Sequence, residues 1–319
     1  MKVSLFMPAT FAAALLIGFG SCKEDDNTTT GNVAFEITDG PIDDTNIEGV
    51  FVTVASLKVD GEEIDDWNGK QTIDLMDYQN GEVKTLGGAD LAAGVYSDVR
   101  LVLDYDQDAN GNSPGTYVLT KDGVKHALKA GASVSNEIKI NGATLSVPES
   151  GNTTAVIDFD LRKAVRYNSG SATSDYQFVT DTELAAAARL AMKSNSGTIK
   201  GKVTDALNIS GDKIVVYAYE KGAYSSSETD PQGTSGIMFK NAVASTVADE
   251  NGNYTLSFLE AGDYELHFVG YDDSNNDGQL DEKGSLVLTV LNGINLNALT
   301  VSAGATLQVN VTATALLPL

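Results

Sequence analysis

Every second residue is large and apolar in the stretch Val33-Ala34-Phe35-Glu36-Ile37-Thr38. An alternation with a period of two is typical of a β-strand with one face in a core and the other toward water. The same pattern returns in residues 50–54, 96–103 and 155–161. The first half of the chain is therefore predicted to consist of β-strands.

Asn-Gly and Asp-Gly pairs separate these strand segments. They occur at residues 60–61, 80–81, 110–111, 122–123 and 141–142. Such pairs accept the positive φ angles that tight hairpin turns require. Because hairpins join antiparallel neighbours, the pattern predicts an antiparallel sandwich or barrel.

The alternation restarts in residues 197–205 and 214–219. A chain of 319 residues is also too long for one ordinary core. The predicted fold class is therefore mainly β, with two tandem antiparallel β-sandwich domains at 32–167 and 197–314.

Residues 168–196 are predicted to connect the two domains. Four consecutive alanines within 184–192 favour a helix, and Thr180 and Glu183 have the spacing of a capping box. Residues 189–192 instead suit a last strand leading into the second domain. A short helix and a short strand both remain open for this connector.

An ordered series of motifs in the first domain resembles domain-of-unknown-function family 4382. The motifs are Ile-Thr-Asp-Gly-Pro at 37–41, Thr-Ile-Asp-Leu at 72–75, Leu-Ala-Ala-Gly-Val-Tyr at 91–96, Val-Arg-Leu-Val-Leu at 99–103 and Val-Ile-Asp-Phe-Asp at 156–160. The resemblance covers residues 32–167. It implies a β domain found in exported proteins, and it implies no assigned activity.

The order of segments in the second half resembles the carboxypeptidase regulatory-like domain. These segments lie at 197–205, 214–219, 244–247, 252–256 and 261–266. The resemblance, over residues 197–314, implies a transthyretin-type β-sandwich of the carbohydrate-binding-like fold group. Such modules serve as spacers in many exported proteins, and the fold alone assigns no function.

The N-terminal residues predict export and lipid attachment. Lys2 precedes an apolar run over 5–19 that is too short to span a membrane comfortably. Phe19-Gly20-Ser21-Cys22 then resembles a lipobox. Residues 1–21 are therefore predicted to be a lipoprotein signal peptide, and Cys22 to carry acyl chains such as palmitate that bind a lipid bilayer. The alternative is an ordinary secretory peptide with an incidental thiol.

Residues 22–31 are predicted to form an acidic tether. Lys23-Glu24-Asp25-Asp26 resembles the signal by which some two-membraned bacteria display lipoproteins on the cell surface, and the plainer interpretation is a solvated linker. The expected location is the outer membrane, lipid-anchored and facing the cell exterior. A net charge of -23 excludes nucleic acid as a partner.

An acidic segment in the second domain matches the first nine positions of a calcium loop. The candidate oxygen donors are Asp273, Asn275, Asp277, Gln279, Asp281 and Glu282. Gly284 stands where an EF-hand requires a bidentate glutamate, so a helical EF-hand is excluded. A structural calcium ion is the one cofactor predicted, and an acidic turn that orders without metal is the alternative. A second run, at 106–111, lacks the later acidic residue.

No catalytic signature is present in the sequence. HExxH, GxSxG and P-loop motifs are absent, and Cys22, the single cysteine, rules out a disulfide or a thiolate zinc site within the chain. Asp158 and Asp160 would lie on one strand face about 6.6 Å apart, a spacing compatible with paired glycosidase carboxylates but also with any solvated strand. The chain is predicted not to be an enzyme, and the alternative is an accessory or weak hydrolase of a carbohydrate-processing system.

Two aromatic residues are candidates for binding a glycan. Trp67 lies in a polar turn, and Tyr224 lies in a long loop at 220–241. The alternatives are that Trp67 covers a sheet edge and that Tyr224 is a mobile loop residue. The predicted function is a non-catalytic binding, adhesion or envelope-assembly component at the cell surface, with a glycan or an envelope protein as partner.

Overall fold

The computed structural model describes residues 29–42, 44–128, 135–168, 175–275 and 278–318. These residues form two bodies built mainly of strands, each with its own apolar core. The prediction of a mainly β fold is confirmed.

The described residues of the first domain form sixteen strands and two short α-helices. They are β1 (Thr30–Gly40), β2 (Ile47–Val59), β3 (Glu62–Glu63), β4 (Asp66–Trp67), β5 (Gln71–Asp74), β6 (Lys84–Ala92), β7 (Gly94–Tyr96), β8 (Val99–Leu103), β9 (Tyr117–Thr120), β10 (Lys125–Ala127), β11 (Glu137–Lys139), β12 (Leu145–Val147), β13 (Asn152–Asp160), α1 (Leu161–Ala164), β14 (Val165–Tyr167), β15 (Tyr176–Phe178), α2 (Asp181–Ala187) and β16 (Ala188–Met192).

Two sheets of the first domain pack against each other. One has the order β16-β13-β1-β6-β4, and the other has the order β10-β9-β2-β8-β11, with β3 and β5 also paired to β2. The large apolar residues of β1, namely Val33, Phe35 and Ile37, are fully buried in the core between the sheets. The alternation that opens the sequence therefore faces a core, as expected.

Two of the five predicted hairpin turns form, at residues 60–61 and 122–123, whereas the strands on either side of 80–81, 110–111 and 141–142 do not pair with each other. Asp60 and Gly61 have φ angles of +50° and +88° and join β2 to β3, whose residues Val59 and Glu62 pair. A residue with a Cβ atom at Gly61 would be strained in this conformation.

In the first domain, one pairing of the described strands differs from the antiparallel expectation. β1 and β13 are parallel neighbours from Asn32 opposite Asn152 to Gly40 opposite Asp160. Turn residues specify only strands that are adjacent in sequence. No hairpin constrains the direction of two strands that come from opposite ends of the domain.

The predicted connector is wrong for residues 176–192, because they belong to the first domain. Tyr176, Phe178 and Leu184 are buried in its core. The short helix and the short strand that the sequence left open both form, one after the other. α2 starts with the Thr180–Glu183 capping box, and β16 then pairs with β13. The chain passes into the second domain at Ser196.

The second domain is one curled sheet of nine strands. Its strands are β17 (Ser196–Thr204), β18 (Lys213–Glu220), β19 (Ala244–Val247), β20 (Asn253–Glu260), β21 (Gly262–Asp272), β22 (Asp281–Val290), β23 (Leu299–Val301), β24 (Thr306–Gln308) and β25 (Val311–Leu317). The main path is β19-β18-β21-β22-β25-β17-β20. β17 is parallel to both β24 and β25, so this domain also departs from the antiparallel prediction. Apolar residues from β17, β18, β20, β21 and β25 fill the inside of the curl.

Residues 221–243, here called the insertion, cover the outer face of β18 and β21. Phe239 of the insertion stacks on Tyr217 with ring centroids 4.1 Å apart, in a second small core. The insertion is ordered around Glu228, whose side chain is fully buried. The loop expected between residues 220 and 241 is therefore a packed layer.

Candidate functional site

Asp158 and Asp160 lie where the two domains meet. Both carboxylates are buried. Ile157 and Phe159, the neighbours of Asp158 in the sequence, are buried on the opposite face of β13. A strand of alternating polar and apolar residues normally leaves its polar face in water. Here the second domain covers that face. The alternative that Asp158 and Asp160 lie on a water-exposed strand face is therefore wrong.

Asp158 is neutralised by a cation on the neighbouring strand. Its partner in the β13–β16 register is Arg189, and Arg189 Nη2 contacts Asp158 Oδ2 at 2.5 Å. Arg189 Nη1 also donates to the carbonyl oxygen of Phe258 in the second domain at 2.7 Å. One guanidinium thus joins a first-domain carboxylate to a second-domain backbone.

Asp160 accepts from two cations of helix α1, which its own side chain caps. Arg162 Nη2 lies 3.4 Å and Lys163 Nζ lies 3.2 Å from Asp160 Oδ2. Burial raises the pKa of Asp160, but the charges of Lys163 and Arg162 outweigh it and hold this pKa below its usual value. Asp160 is therefore ionised in the folded protein.

The same two cations reach into the insertion of the second domain. Arg162 Nη1 donates to the carbonyl oxygen of Met238 at 2.7 Å, and Arg162 Nη2 donates to that of Phe239 at 3.3 Å. Lys163 Nζ donates to the carbonyl oxygen of Ala242 at 2.9 Å. The buried charges at the junction therefore dock one domain on the other.

A third carboxyl group at the junction belongs to Asp39. Burial raises its pKa well above the usual value, and the nearby Asp160 and Asp158 charges act in the same direction. Its Oδ1 accepts from the backbone N–H of Leu161 at 3.1 Å. The neutral form of Asp39 is therefore more favoured than that of an exposed aspartate.

The space beside these carboxyl groups is too small for a sugar. The cleft lined by Asp39, Asp158 and Asp160 has a volume of about 20 Å³, which is room for about one water molecule. A glycosidase must place a sugar ring between its two carboxyl groups, and one of these must act as an acid. The cations and the closed cleft instead suit a structural role for Asp158 and Asp160.

Glu183 forms a second contact across the junction. Its carboxylate accepts from the Thr180 N–H and hydroxyl, and from the Ser235 N–H at 3.1 Å and the Ser235 hydroxyl at 2.6 Å. Burial raises the pKa of Glu183, but these hydrogen bonds to the charged form outweigh it and lower the pKa to about 2.

The folded-state pKa of Glu183 predicts a pH-dependent contribution to stability. A carboxyl group whose pKa falls from 4.5 to about 2 on folding stabilises the folded state above pH 4.5, and this contribution is lost as the pH falls toward 2. We expect Glu183→Gln to lower the free energy of unfolding by about 2–3 kcal/mol at pH 7 and by much less at pH 3. Urea denaturation at both pH values measures this difference, with the exposed Glu250→Gln as control. A loss that is equal at the two pH values would contradict the assignment.

The calcium-like segment closes on itself and also contacts the first domain. Asp273 Oδ2 accepts from the Gly278 N–H at 3.1 Å, and Asn275 Nδ2 donates to Asp281 Oδ2 at 3.4 Å. The carbonyl oxygen of Gly278 accepts from the hydroxyl of Thr45 at 2.8 Å. The side chains at the third and ninth positions thus contact each other, and the first side chain accepts from the backbone at the sixth position.

One predicted calcium ligand, Asp277, lies outside the described residues, and Glu282 lies in β22. Within the described part of the chain, Asp, Glu, His and Cys side chains do not gather in groups of three or more around a metal position. The second acidic run is ordered by its own backbone, because Asp108 Oδ1 accepts from the N–H groups of Asn110 and Asn112, each at 2.8 Å.

The two predicted glycan residues lie far apart in the fold. Trp67 is half-buried in the edge strand β4 against the first core, and its buried indole N–H has no hydrogen-bond partner among the described residues. Tyr224 is half-buried in the insertion, where its ring stacks on His267 with centroids 3.5 Å apart. Neither residue lines the clefts at the domain junction.

The predicted lipidation site, Cys22, and the signal peptide lie outside the described residues. Among the residues that are described, no helix has the length and apolar character needed to cross a membrane.

Sequence reasoning did not find Arg162 and Arg189 as the residues that join the domains. A signal existed for each of them. Arg189 is the one charged residue in the apolar segment 184–192, and Arg162 follows Asp160 at the end of a strand. A lone cation within an apolar segment requires a buried anion as partner.

Solved structures similar to the chain show only distant likenesses. The Bacillus anthracis TIE protein is 12% identical with a TM-score of 0.21, over 89% of this chain and 34% of that protein. A leucine-rich repeat protein from Bacteroides thetaiotaomicron is 13% identical with a TM-score of 0.21, over 90% of this chain and 27% of that protein. BcpA, the major pilin subunit of Bacillus cereus, is 11% identical with a TM-score of 0.21, over 89% of this chain and 71% of that protein.

The chain thus spans about a third of the length of the first two of these proteins. At such TM-scores the three likenesses support no inference about function. No curated protein matches the chain. A family model does match: residues 30–179 align with it, as the motifs of the first domain predict. This family is described as Domain of unknown function (DUF4382), and its model matches just under half of the chain, within the first domain.

Proposed function

We propose that the protein is an exported lipoprotein that acts as a non-catalytic binding, adhesion or envelope-assembly component on the cell surface. The observation that carries this proposal is the apolar run at 5–19 followed by Phe19-Gly20-Ser21-Cys22. Two or more acyl chains on one cysteine make membrane attachment stable. The acidic tether that follows would separate the folded domains from the bilayer.

The domain junction supports a role that requires a fixed shape. Arg162, Lys163 and Arg189 each join a buried first-domain carboxylate to a second-domain carbonyl group. Such contacts resist separation of the domains, because undocking would expose or unpair buried charges. A rigid pair of domains suits display of a binding surface at a distance from the membrane.

We further propose that the second domain is a carboxypeptidase regulatory-like domain of the carbohydrate-binding-like fold group. The order of its sequence segments supports this assignment, and the curled sheet around a single core is compatible with it. Such a domain would serve as a spacer or as a platform for recognition.

Lipid attachment is tested at Cys22. We expect cells expressing the wild-type protein with an alkyne-labelled palmitate to yield a labelled product in the membrane fraction. Cys22→Ala should lose all of the label, because the lipid is attached through the sulfur of Cys22. The variant should also no longer be retained in membranes. Mass spectrometry of the wild-type N-terminus provides the second measurement, and an unmodified thiol there would refute the proposal.

Surface display is tested with the same cells. Protease added to intact cells should degrade the wild-type protein. Replacement of Glu24, Asp25 and Asp26 by alanine should retain the palmitate label but protect the protein, because the acidic signal is lost while the acylated cysteine remains. Equal degradation of both forms would show that the tether does not direct display.

We also propose that the loop containing Asp273 and Asp281 binds a structural calcium ion. The contact between its third and ninth side chains and the turn that Asp273 closes support this. We expect 5 mM calcium to raise the Tm by about 5 °C relative to chelator, because a ligand that binds only the folded state stabilises it. Asp281→Asn should abolish the shift, whereas Asp106→Asn, in the other acidic run, should retain it. Equal Tm values with calcium and with chelator would exclude the site.

A further inference from the structure

A second cleft at the domain junction is much larger than the one beside Asp158. Its volume is about 180 Å³, many times the 10–15 Å³ or so that one water molecule requires. Both domains contribute to its lining, which includes Ile42, Asp44, Val165, Tyr167, Tyr176 and Gln279. Clefts between domains are common positions for small-molecule sites.

One wall of this cleft is aromatic. Tyr167 and Tyr176 pair in the two-stranded β14–β15 ribbon, with ring centroids 5.2 Å apart. Tyr176 is buried, but Tyr167 is 44% exposed. A large exposed aromatic ring beside a cleft offers an apolar face to a ligand at little further cost in conformational entropy.

Beside the aromatic wall, the lining is polar and fixed in position. Asp44 Oδ2 accepts from the Tyr176 hydroxyl at 2.6 Å and from Gln279 Nε2 at 2.7 Å. Asp44 also pairs with Gln279 through a backbone bridge between the domains. A carboxylate oxygen held in this way retains lone pairs that can accept hydrogen bonds from a ligand.

We propose that this cleft is a saccharide-binding site, in which Tyr167 stacks on the C–H face of one pyranose ring and Asp44 accepts from its hydroxyl groups. A ring with one apolar face and a rim of donors matches an aromatic surface beside a carboxylate. Arg162 also lines the cleft, but its guanidinium group is engaged by Asp160 and by carbonyl groups of the insertion. An anionic ligand is disfavoured by Asp44 and by the net charge of -23. The proposal rests on the proposed function as a binding component, and it places the site away from Trp67 and Tyr224.

The test uses the full protein against an array of immobilised glycans, followed by saturation-transfer NMR with the methyl pyranosides that the array identifies. We expect binding in the millimolar range for a single ring. Tyr167→Ala should weaken it at least tenfold, and Tyr167→Phe should retain it, because stacking requires the ring and not the hydroxyl. Tyr96→Ala, which removes a half-exposed tyrosine from β7, is the matched control and should bind as wild type.

Each outcome decides the proposal. Loss of binding in Tyr167→Ala alone supports it, and circular dichroism confirms that this variant is folded. Binding that is unchanged in Tyr167→Ala would show that saccharides bind elsewhere, which overturns this site but leaves a glycan-binding role intact. Absence of binding to every glycan by the wild type overturns the saccharide site. Lipid attachment and surface display are measured separately, so failure here remains distinct from failure of the proposed function.

Discussion

Replacing Arg162 by alanine is expected to lower the free energy of unfolding by about 3–5 kcal/mol. Only 6% of the Arg162 side chain is exposed, and its guanidinium group joins Asp160 to two carbonyl groups of the insertion. It also lies 4.9 Å from the centre of the buried Tyr217 ring. The truncation would leave a buried carboxylate with one fewer cation and two carbonyl groups with one fewer donor.

Urea denaturation followed by tryptophan and tyrosine fluorescence measures the Arg162→Ala effect. Because Arg162 holds the domains together, the variant should also unfold in two separated transitions where the wild type unfolds in one. Arg100→Ala is the matched control: Arg100 is paired with Asp98 at the surface with 34% of its side chain exposed, and its loss should lower the stability much less, because exposed ion pairs contribute little. Similar losses for both variants would show that the junction charges do not stabilise the docked state.

The second large effect is expected at Glu228. Its fully buried carboxylate accepts from Asn241 Nδ2 at 2.6 Å, the Asn241 N–H at 2.9 Å, Gln232 Nε2 at 3.1 Å and the Tyr219 hydroxyl at 3.2 Å. Glu228→Ala would leave these four donors buried without their acceptor and create a cavity. We expect a loss of about 3–5 kcal/mol in the free energy of unfolding.

The Glu228→Gln variant measures how much the charge and the hydrogen bonds of Glu228 contribute to stability, because it leaves the packing volume nearly unchanged. Glutamine fills the same volume but presents an amide NH₂ group where the native side chain has only acceptors, so a loss of about 2 kcal/mol is expected. Glu250→Gln, in an exposed turn, should change stability by no more than about 0.5 kcal/mol. A smaller effect for Glu228→Ala than for Glu228→Gln would contradict a role for this carboxylate as the acceptor that orders the insertion.

The local elements of the fold could be predicted because their signals lie within a few residues of one another. Alternation identified β1, the Asp60-Gly61 pair identified a hairpin, and Thr180 with Glu183 identified the start of α2. In each case the interacting groups are neighbours in the sequence. Such signals identify elements but do not determine which distant strands pair.

The candidate sites could not be predicted in the same way, because their partners are distant in sequence. Asp158 and Asp160 have the spacing of an exposed pair, and only the position of the second domain shows that they are buried beside Arg189 and Arg162. Tyr167 and Gln279 come together because both domains dock. Contacts between domains leave no periodic pattern in the sequence, so composition and spacing could not identify these clefts.

The parallel pairing of β1 and β13 has a mechanical consequence. Phe35 lies level with Ala155, and Ala155 lies level with Met192, the last residue of β16. The end of β16, where the chain leaves for the second domain, therefore lies level with the middle of β1, two strand spacings or about 10 Å away on the same sheet. Tension between a tether before β1 and a load on the second domain would enter at the start of β1 and leave level with its middle. Most of the first domain would lie outside the line of force and be spared from stretching.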